Sequence, residues 1–278
     1  MPDAGRLLVC ATPIGNLGDV TLRVLDALRD VAIIEAEDTR VTRRLLARYD
    51  IHTPLERYDE ATAAERTPAV IARIRSGDTV AIVSDAGTPG VSDPGARLVD
   101  ACLDAGVAVD VLPGASAVLT ALVASGLPTH AFYFGGFLPR KAGERKRVLE
   151  SLAQLHATLV FYESPKRTAA SARALAEVFP ARRAAMAREL TKLHEEVIRA
   201  STQELAADVA QRELKGEVVL LVGPPVASER EMPDEDALYM AVEALVKTGL
   251  SRKDAVKRIA GERGVSRQAV YAAAHRKG

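Results

Sequence analysis

The first 225 residues alternate short runs of aliphatic and β-branched residues with longer stretches in which apolar positions recur every three to four residues. The short runs predict strands at Arg6–Ala11, Val31–Ala36, Thr79–Ser84 and Val107–Leu112. The longer stretches predict helices at Thr21–Asp30, Arg40–Tyr49, Thr62–Ser76, Pro94–Ala105 and Ser116–Ser125. Leu22, Leu25 and Leu28 mark the inward face of the first helix, and Leu98, Cys102 and Ala105 that of the fourth. Gly77 and Gly106 fall just past helix ends, where a residue without a Cβ lets the chain turn. Strands alternating with helices are joined by crossovers, so the expected sheet is largely parallel.

Gly126–His130 brings Gly and Pro together and reads as a link. A second α/β set is expected after it: strand Ala131–Gly135, helix Ala142–Gln154, strand Thr158–Tyr162, helix Pro165–Val178, then strands Ala184–Leu190, Glu195–Ala200 and Val218–Val222. Pro224, Pro225 and the polar run Ala227–Asp236 form a second link, and Ala237–Gly278 reads as all helical. Within that tail, Asp254–Ala260, the turn Gly264-Val265-Ser266 and Arg267–His275 have the spacing of a helix–turn–helix. Ala241, Leu245, Ala255, Ile259, Val265, Val270 and Ala273 supply a small core for it. The expected organisation is two α/β lobes, residues 1–126 and 127–226, and a helical domain over 233–278.

Composition narrows the classes. At 48 % apolar and 27 % charged the chain is globular, and without Trp its core is aliphatic. No apolar run approaches the ~18 residues of a membrane span, and Met1–Arg6 starts no signal peptide. Cys10 and Cys102 form no CxxC and the five histidines no HxxxH, so neither a disulfide framework nor a metal site is expected, which fits a reducing cytoplasm. Net charge is zero, yet Ser251–Gly278 holds eight bases against two acids. That excess of +6 leaves −6 on the other 250 residues. A second basic island is Arg140, Lys141, Arg145, Lys146 and Arg147. Both islands suit a polyanion.

Three loops follow strand ends, where open α/β sheets bind ligands. Ala11–Asp19 is Gly-containing but matches neither GxGxxG nor a P-loop, and alone it also reads as a strand-to-helix turn. Ser84–Gly95 holds three glycines, two prolines and two aspartates, so it is a rigid ordered loop. Asp85 is placed to take an ammonium group, and Asp93 before Pro94 equally reads as a helix cap. Leu112–Ala117 brings Ser116 to a helix start, as ligand contact or plain N-cap. Charged segments Phe161–Arg167, Ala187–Lys192 and Lys215–Glu217 gather on one rim of the second lobe.

In this order, Thr12–Leu17, Ala36–Arg40, Ser84–Pro89, Gly136–Pro139, Phe161–Ser164 and Arg188–Thr191 resemble the tetrapyrrole methylase superfamily, the class III S-adenosylmethionine-dependent methyltransferases. The resemblance implies two α/β lobes with S-adenosylmethionine between them, held by Pro13, Asp85, Ala86, Gly87, Thr88, Val91, Ser116 and Ala117 from the first lobe and Tyr162 and Leu190 from the second. Tetrapyrrole-modifying members carry GxGxGD in the first loop and GGDP in the loop after the third predicted strand. Here those places read Pro13–Gly18 and Asp85–Pro89, which favours the branch that methylates a cytidine ribose 2′-hydroxyl in the decoding region of 16S ribosomal RNA. The partner implied is 16S rRNA within the small ribosomal subunit, and a homodimer is expected.

A ribose hydroxyl needs its proton taken or shared. Candidates are Glu163 and Lys192, then Glu189, Asp38 and its neighbour Glu37, each of which also reads as an ion pair or cap. RNA phosphates are expected to meet Arg140, Lys141, Arg145, Lys146 and Arg147, and in the tail Lys253, Lys257, Arg258 and Arg267. Two other readings stay open. One is a methyltransferase of the same fold acting on a tetrapyrrole precursor, which would not explain the basic tail. The other is a non-catalytic nucleic-acid-binding regulator, which would leave the three loops without a purpose.

Overall fold

A computed structural model describes residues 5–225, 235–263 and 265–275. It divides into two compact units, Met1–Pro224 and Pro225–Gly278. Most of the expected link Ala227–Asp236, with Gly264, Arg276 and Lys277, lies outside the described residues. No helix among the described residues is long and apolar enough to cross a membrane.

The first lobe is a parallel sheet of β1 (Arg6–Cys10), β2 (Ile33–Ala36), β3 (Leu55–Arg57), β4 (Val80–Val83) and β5 (Ala108–Leu112), in the order β3-β2-β4-β1-β5. The crossovers are α1 (Leu22–Asp30), α2 (Thr39–Arg48), α3 (Ala63–Arg75) and α4 (Gly95–Asp104). β2 and β4 are buried throughout, as central parallel strands covered on both faces must be. Gly77 and Gly106 follow α3 and α4 at φ +109° and +71°, the left-handed turn expected of them.

Two details depart from the pattern. Leu22 is 78 % exposed, and the inward face of α1 is Val24, Leu25 and Leu28. Steps of three residues drift backwards around a helix by about 60°, so three leucines so spaced cannot all face the core. β3 is absent from the sequence pattern, because three residues with one apolar side chain at a sheet edge leave no alternation to read.

The second lobe holds β6 (Phe132–Phe137), β7 (Thr158–Glu163), β8 (Arg183–Arg188), β9 (Glu196–Ser201) and β10 (Val218–Val222), ordered β6-β7-β10-β8-β9. Only β6 and β7 pair in parallel. The other three pairs are antiparallel, because the short connection from Arg188 to Glu196 has no room for a crossover helix. α6 (Ala142–Ser151) and α7 (Pro165–Val178) match expectation. α8 (Thr202–Val209) is an addition. Its signal was the Ser201…Glu204 spacing, which forms a reciprocal capping box.

The lobes are joined through α5 (Ala117–Ser125). Val118, Ala121 and Leu122 pack with Val160, Ala185, Val219 and Leu221 of the second sheet in one apolar cluster. The second unit holds α9 (Glu235–Lys247), α10 (Arg252–Arg263) and α11 (Arg267–His275), packed around Leu238, Val242, Ala255, Val256, Ile259, Val270 and Ala273.

Candidate functional site

Parallel strands β1, β2, β4 and β5 release their loops at one edge of the first sheet, and these loops interlock. Thr12 and Gly87 exchange backbone hydrogen bonds, Thr12 N to Gly87 O at 2.8 Å and Gly87 N to Thr12 O at 3.1 Å. The Thr12 hydroxyl donates to the Ser84 carbonyl at 3.0 Å. Gly87 needs its φ of +81° for this pairing, a conformation that glycine adopts freely. A Cβ there would lie 3.6 Å from both the Ala115 carbonyl and Ile14, so the first, third and fourth loops converge on one point. Asp93 staples the third loop, accepting from Gly90 N at 2.8 Å and Gly95 N at 2.7 Å through one oxygen. Ser116 is the N-cap of α5.

The second lobe answers with a strap over 188–192. Glu189 and Thr191 both sit at positive φ, +50° and +65°, on either side of buried Leu190. Strained non-glycine residues persist where surrounding structure over-determines them, which is common at binding sites. The strap meets the first loop directly: Asn16 N donates to the Thr191 hydroxyl at 3.0 Å. Gly15 passes so close to Leu190, Thr191 and Lys192 that no side chain would fit. Ile14, Ala115, Ala117, Tyr162 and Leu190 share the apolar cluster between the lobes. Of the ten residues expected to hold a cofactor, Gly87 lies in the interlocked loops and Ala117, Tyr162 and Leu190 in the apolar cluster between the lobes, and the other six are on or beside the same loops. Pro13 and Gly87 are buried, Asp85, Thr88, Ser116, Ala117 and Tyr162 are partly buried, and Ala86 and Val91 are open to solvent.

The proton-acceptor candidates separate into different roles. Glu163 is buried at 2 % exposure inside the second lobe, where it accepts from Ser164 N at 2.8 Å, from Arg167 at 3.1 Å and from the Ser171 hydroxyl. It holds α7 to β7 and has no free oxygen for a substrate, so the expectation that it acts as base gives way to a buried ion pair. Lys192 Nζ lies 2.8 Å from Glu189 and 3.1 Å from Glu217. Burial pulls its pKa down, but the hydrogen bonds to the two glutamates outweigh this and hold it above the ordinary lysine value. A lysine so held stays protonated and cannot serve as base. Burial raises the Glu189 pKa, but Lys192 and the Glu217 backbone overcome this and lower it. Asp38 caps α2 and is clamped by Arg40, which depresses its pKa.

Glu37 remains. Burial first, then the charge of Asp85, raise its pKa. Burial likewise raises Asp85, which accepts from Asp38 N at 2.9 Å and feels Glu217 across the seam. These acids lie at the loop edge of the first sheet, beside the cofactor candidates.

Of the five cations after β6, Arg145 is buried and donates to the Pro139 and Arg140 carbonyls at 3.3 and 3.4 Å, pinning the start of α6. This corrects its assignment as a phosphate contact. Arg140, Lys141, Lys146 and Arg147 are exposed or partly exposed, and Lys253, Lys257, Arg258 and Arg267 in the second unit are exposed.

Sequence reasoning missed the seam residues Asn16, Ser92 and Thr191, whose roles depend on long-range contact and leave no local pattern. It also missed an aromatic group. Phe134 and Phe137 both pack on Tyr162, with ring centroids 4.9 and 5.6 Å away.

Residues 6–206 match the family described as Tetrapyrrole (Corrin/Porphyrin) Methylases. The chain is 46 % identical over 267 residues to the ribosomal RNA small subunit methyltransferase I of Mesorhizobium japonicum, covering 95 % of this chain and 90 % of that protein. The Bacillus subtilis protein of the same name is 41 % identical, over 98 % of this chain and 95 % of its own. Among solved structures, the methyltransferase CobJ aligns with a TM-score of 0.62 at 23 % identity, over 79 % of this chain and 94 % of its own. A uroporphyrin-III C-methyl transferase from Thermus thermophilus, complexed with S-adenyl homocysteine, aligns at 0.56 and 22 %, over 79 % and 97 %.

Proposed function

Because the chain belongs to the tetrapyrrole methylase family, we propose that it transfers a methyl group from S-adenosylmethionine to the 2′-hydroxyl of a cytidine ribose in the decoding region of 16S ribosomal RNA. The observation that carries this reading is its likeness, over nearly the full length of both chains, to relatives named for methylation of the small-subunit RNA. The first loop adds support, since it lacks the GxGxGD of tetrapyrrole-modifying members.

The seam fits the cofactor chemically. Main-chain groups of Pro13, Asp85, Ala86, Gly87 and Thr88 would meet its polar parts, the start of α5 at Ser116 and Ala117 its anionic end, and Val91, Tyr162 and Leu190 its apolar surface. When bound, S-adenosylmethionine supplies an electrophilic methyl on a good leaving group, so much of the rate comes from positioning. The interlocked loops and the strap provide that, because their backbone is fixed before substrate arrives. Glu37 accepts the hydroxyl proton: burial, then the charge of Asp85, raise its pKa and make it a stronger base than an ordinary glutamate.

RNA phosphates are held by Arg140, Lys141, Lys146 and Arg147 after β6 and by Lys253, Lys257, Arg258 and Arg267 in the second unit. The protein works in the cytoplasm on the small subunit, as a homodimer for which exposed Val111, Leu119 and Val123 offer apolar surface.

Labelled methyl transfer to unmethylated small subunits, with free 16S rRNA in parallel, tests the reading. A 2′-O-methyl ribose resists alkaline cleavage at its 3′ linkage, so the modified position appears as a gap in an alkaline ladder. Transfer to neither RNA form, or to a base atom, would overturn it.

A further inference from the structure

We propose that Phe137 is the platform on which the target nucleotide stacks its base while its ribose reaches the seam. This rests on the RNA methyltransferase reading and specifies how that substrate is gripped.

β6 is an edge strand whose register with β7 slips between Phe134 and Phe137, so that Phe137 stands opposite Tyr162. Two glycines make the slip possible. A Cβ on Gly135 would come within 2.5 Å of the Phe161 ring, and Gly136 takes φ +61°. The result is a phenylalanine 54 % exposed to solvent, tilted 58° against Tyr162 at 5.6 Å. Tyr162 itself feels the charges of Glu217 and Asp93, one from each lobe, which locates this aromatic group at the seam. Gly136 also lies against the first lobe, 3.5 Å from the Ser92 hydroxyl when a Cβ is placed on it.

The ring is presented rigidly. Leu138 beside it is buried, and its carbonyl accepts from Arg167. Pro139 and Arg140 give their carbonyls to Arg145. Arg140 and Lys141 follow immediately. A half-exposed aromatic ring on a braced backbone, with cations beside it, is the arrangement that takes an unpaired base and its phosphate. The chemistry requires an unpaired nucleotide as well. A ribose held in an intact stack cannot bring its 2′-oxygen into a seam closed by Asn16 and Thr191, so the nucleotide must be turned out and its former stacking replaced.

The test compares Phe137→Ala, Phe137→Leu and Phe137→Trp in the full chain, with unmethylated small ribosomal subunits as substrate and S-adenosylmethionine affinity measured by calorimetry. Stacking on one aromatic ring is worth ~1–3 kcal/mol, so kcat/KM for Phe137→Ala falls by about 5- to 150-fold. Phe137→Leu, which keeps the apolar bulk but not the π-face, falls as far, and Phe137→Trp stays near wild type. Affinity for S-adenosylmethionine is unchanged in all three. A leucine variant as active as wild type would overturn the proposal, since the site would then need only apolar volume. Loss of S-adenosylmethionine affinity parallel to the loss of rate would assign the ring to the cofactor instead. A changed sedimentation mass would assign it to contact between copies. A wild-type protein that binds S-adenosylmethionine but methylates no RNA would overturn the parent reading, and this one with it.

Discussion

The Asn16 backbone N–H donates to the Thr191 hydroxyl at 3.0 Å, which ties the first loop of one lobe to the strained strap of the other. This contact fixes the width of the seam, and the glycine before Asn16 lets the two backbones approach. A Cβ at Gly15 would lie 2.5 Å from Lys192 Cγ and 2.9 Å from the Leu190 carbonyl oxygen. The lysine stem can yield, but the carbonyl cannot. Gly15→Val should therefore part the loops and weaken S-adenosylmethionine binding at least tenfold by calorimetry, with the far-UV spectrum unchanged. Gly18→Ala, whose Cβ would come no closer than 3.2 Å to the Asn16 side chain, is the control and should bind normally.

Glu163→Gln should act on stability. The substitution removes the charge that Arg167 pairs with inside the second lobe, and breaking one side of a buried pair costs ~3–5 kcal/mol. Urea unfolding should show the loss. Turnover per folded molecule, measured below the unfolding range, should stay within about twofold of wild type. A large fall in turnover with unchanged stability would return Glu163 to the chemistry.

Apart from β3 and α8, element order was legible because the parallel strands and crossover helices carry their own periods: α7 lies where Pro165 at the first turn and the apolar spacing set it. The direction of β8, β9 and β10 was not, since a strand's pattern records which face is buried and not which way its neighbour runs. The candidate loops were legible as loops, because Ser84–Gly95, with three glycines and two prolines, can be neither helix nor strand throughout. The chemistry of individual acids was not. Glu163 and Glu37 both sit at strand ends, and only the three-dimensional partners, Arg167 for one and Asp85 for the other, separate a buried ion pair from a candidate base.

The Lys192 cluster should mark the pH dependence of stability. Glu189 has a lowered pKa, so its contribution is present above the ordinary glutamate value of 4.5 and is lost as pH falls through the lowered one. Lys192 has a raised pKa, so its contribution is present below 10.5 and is lost as pH climbs through the raised value. The difference in melting temperature between wild type and Lys192→Met should be widest across the neutral range and narrow at both ends. A difference that does not vary with pH would mean that the pairs contribute nothing.

Glu37→Gln should separate stability from activity. A carboxyl whose pKa is raised by folding stabilises the protein only while protonated, and that stability is lost as pH rises through the raised value. Above the ordinary glutamate value of 4.5 the raised pKa works against folding, so the neutral glutamine should raise the melting temperature there, whereas in acid the two proteins should melt alike. If Glu37 takes the hydroxyl proton, turnover should fall ~10²–10⁴-fold while S-adenosylmethionine affinity changes little. A variant that is more stable and fully active would remove Glu37 from the mechanism.

The second unit should supply affinity for RNA and take no part in the chemistry. Its last 28 residues carry an excess of +6 on a chain that is otherwise negative. Lys253, Lys257, Arg258 and Arg267 are exposed, and Arg258 pairs with Glu262 at 2.8 Å. Removing one cation that meets a phosphate should flatten the slope of log affinity against log salt by ~0.7–0.9. A chain ending at Glu229 keeps the whole first unit, which has its own apolar cores, so it should stay folded and bind S-adenosylmethionine with full affinity. It should hold small-subunit RNA more weakly and with a shallower salt dependence. The competing role is a packing or dimer surface. Removal would then lower thermal stability or change the sedimentation mass and leave the salt slope where it was. Measuring slope and mass on one preparation decides between them, and an unchanged slope would take the second unit out of RNA binding.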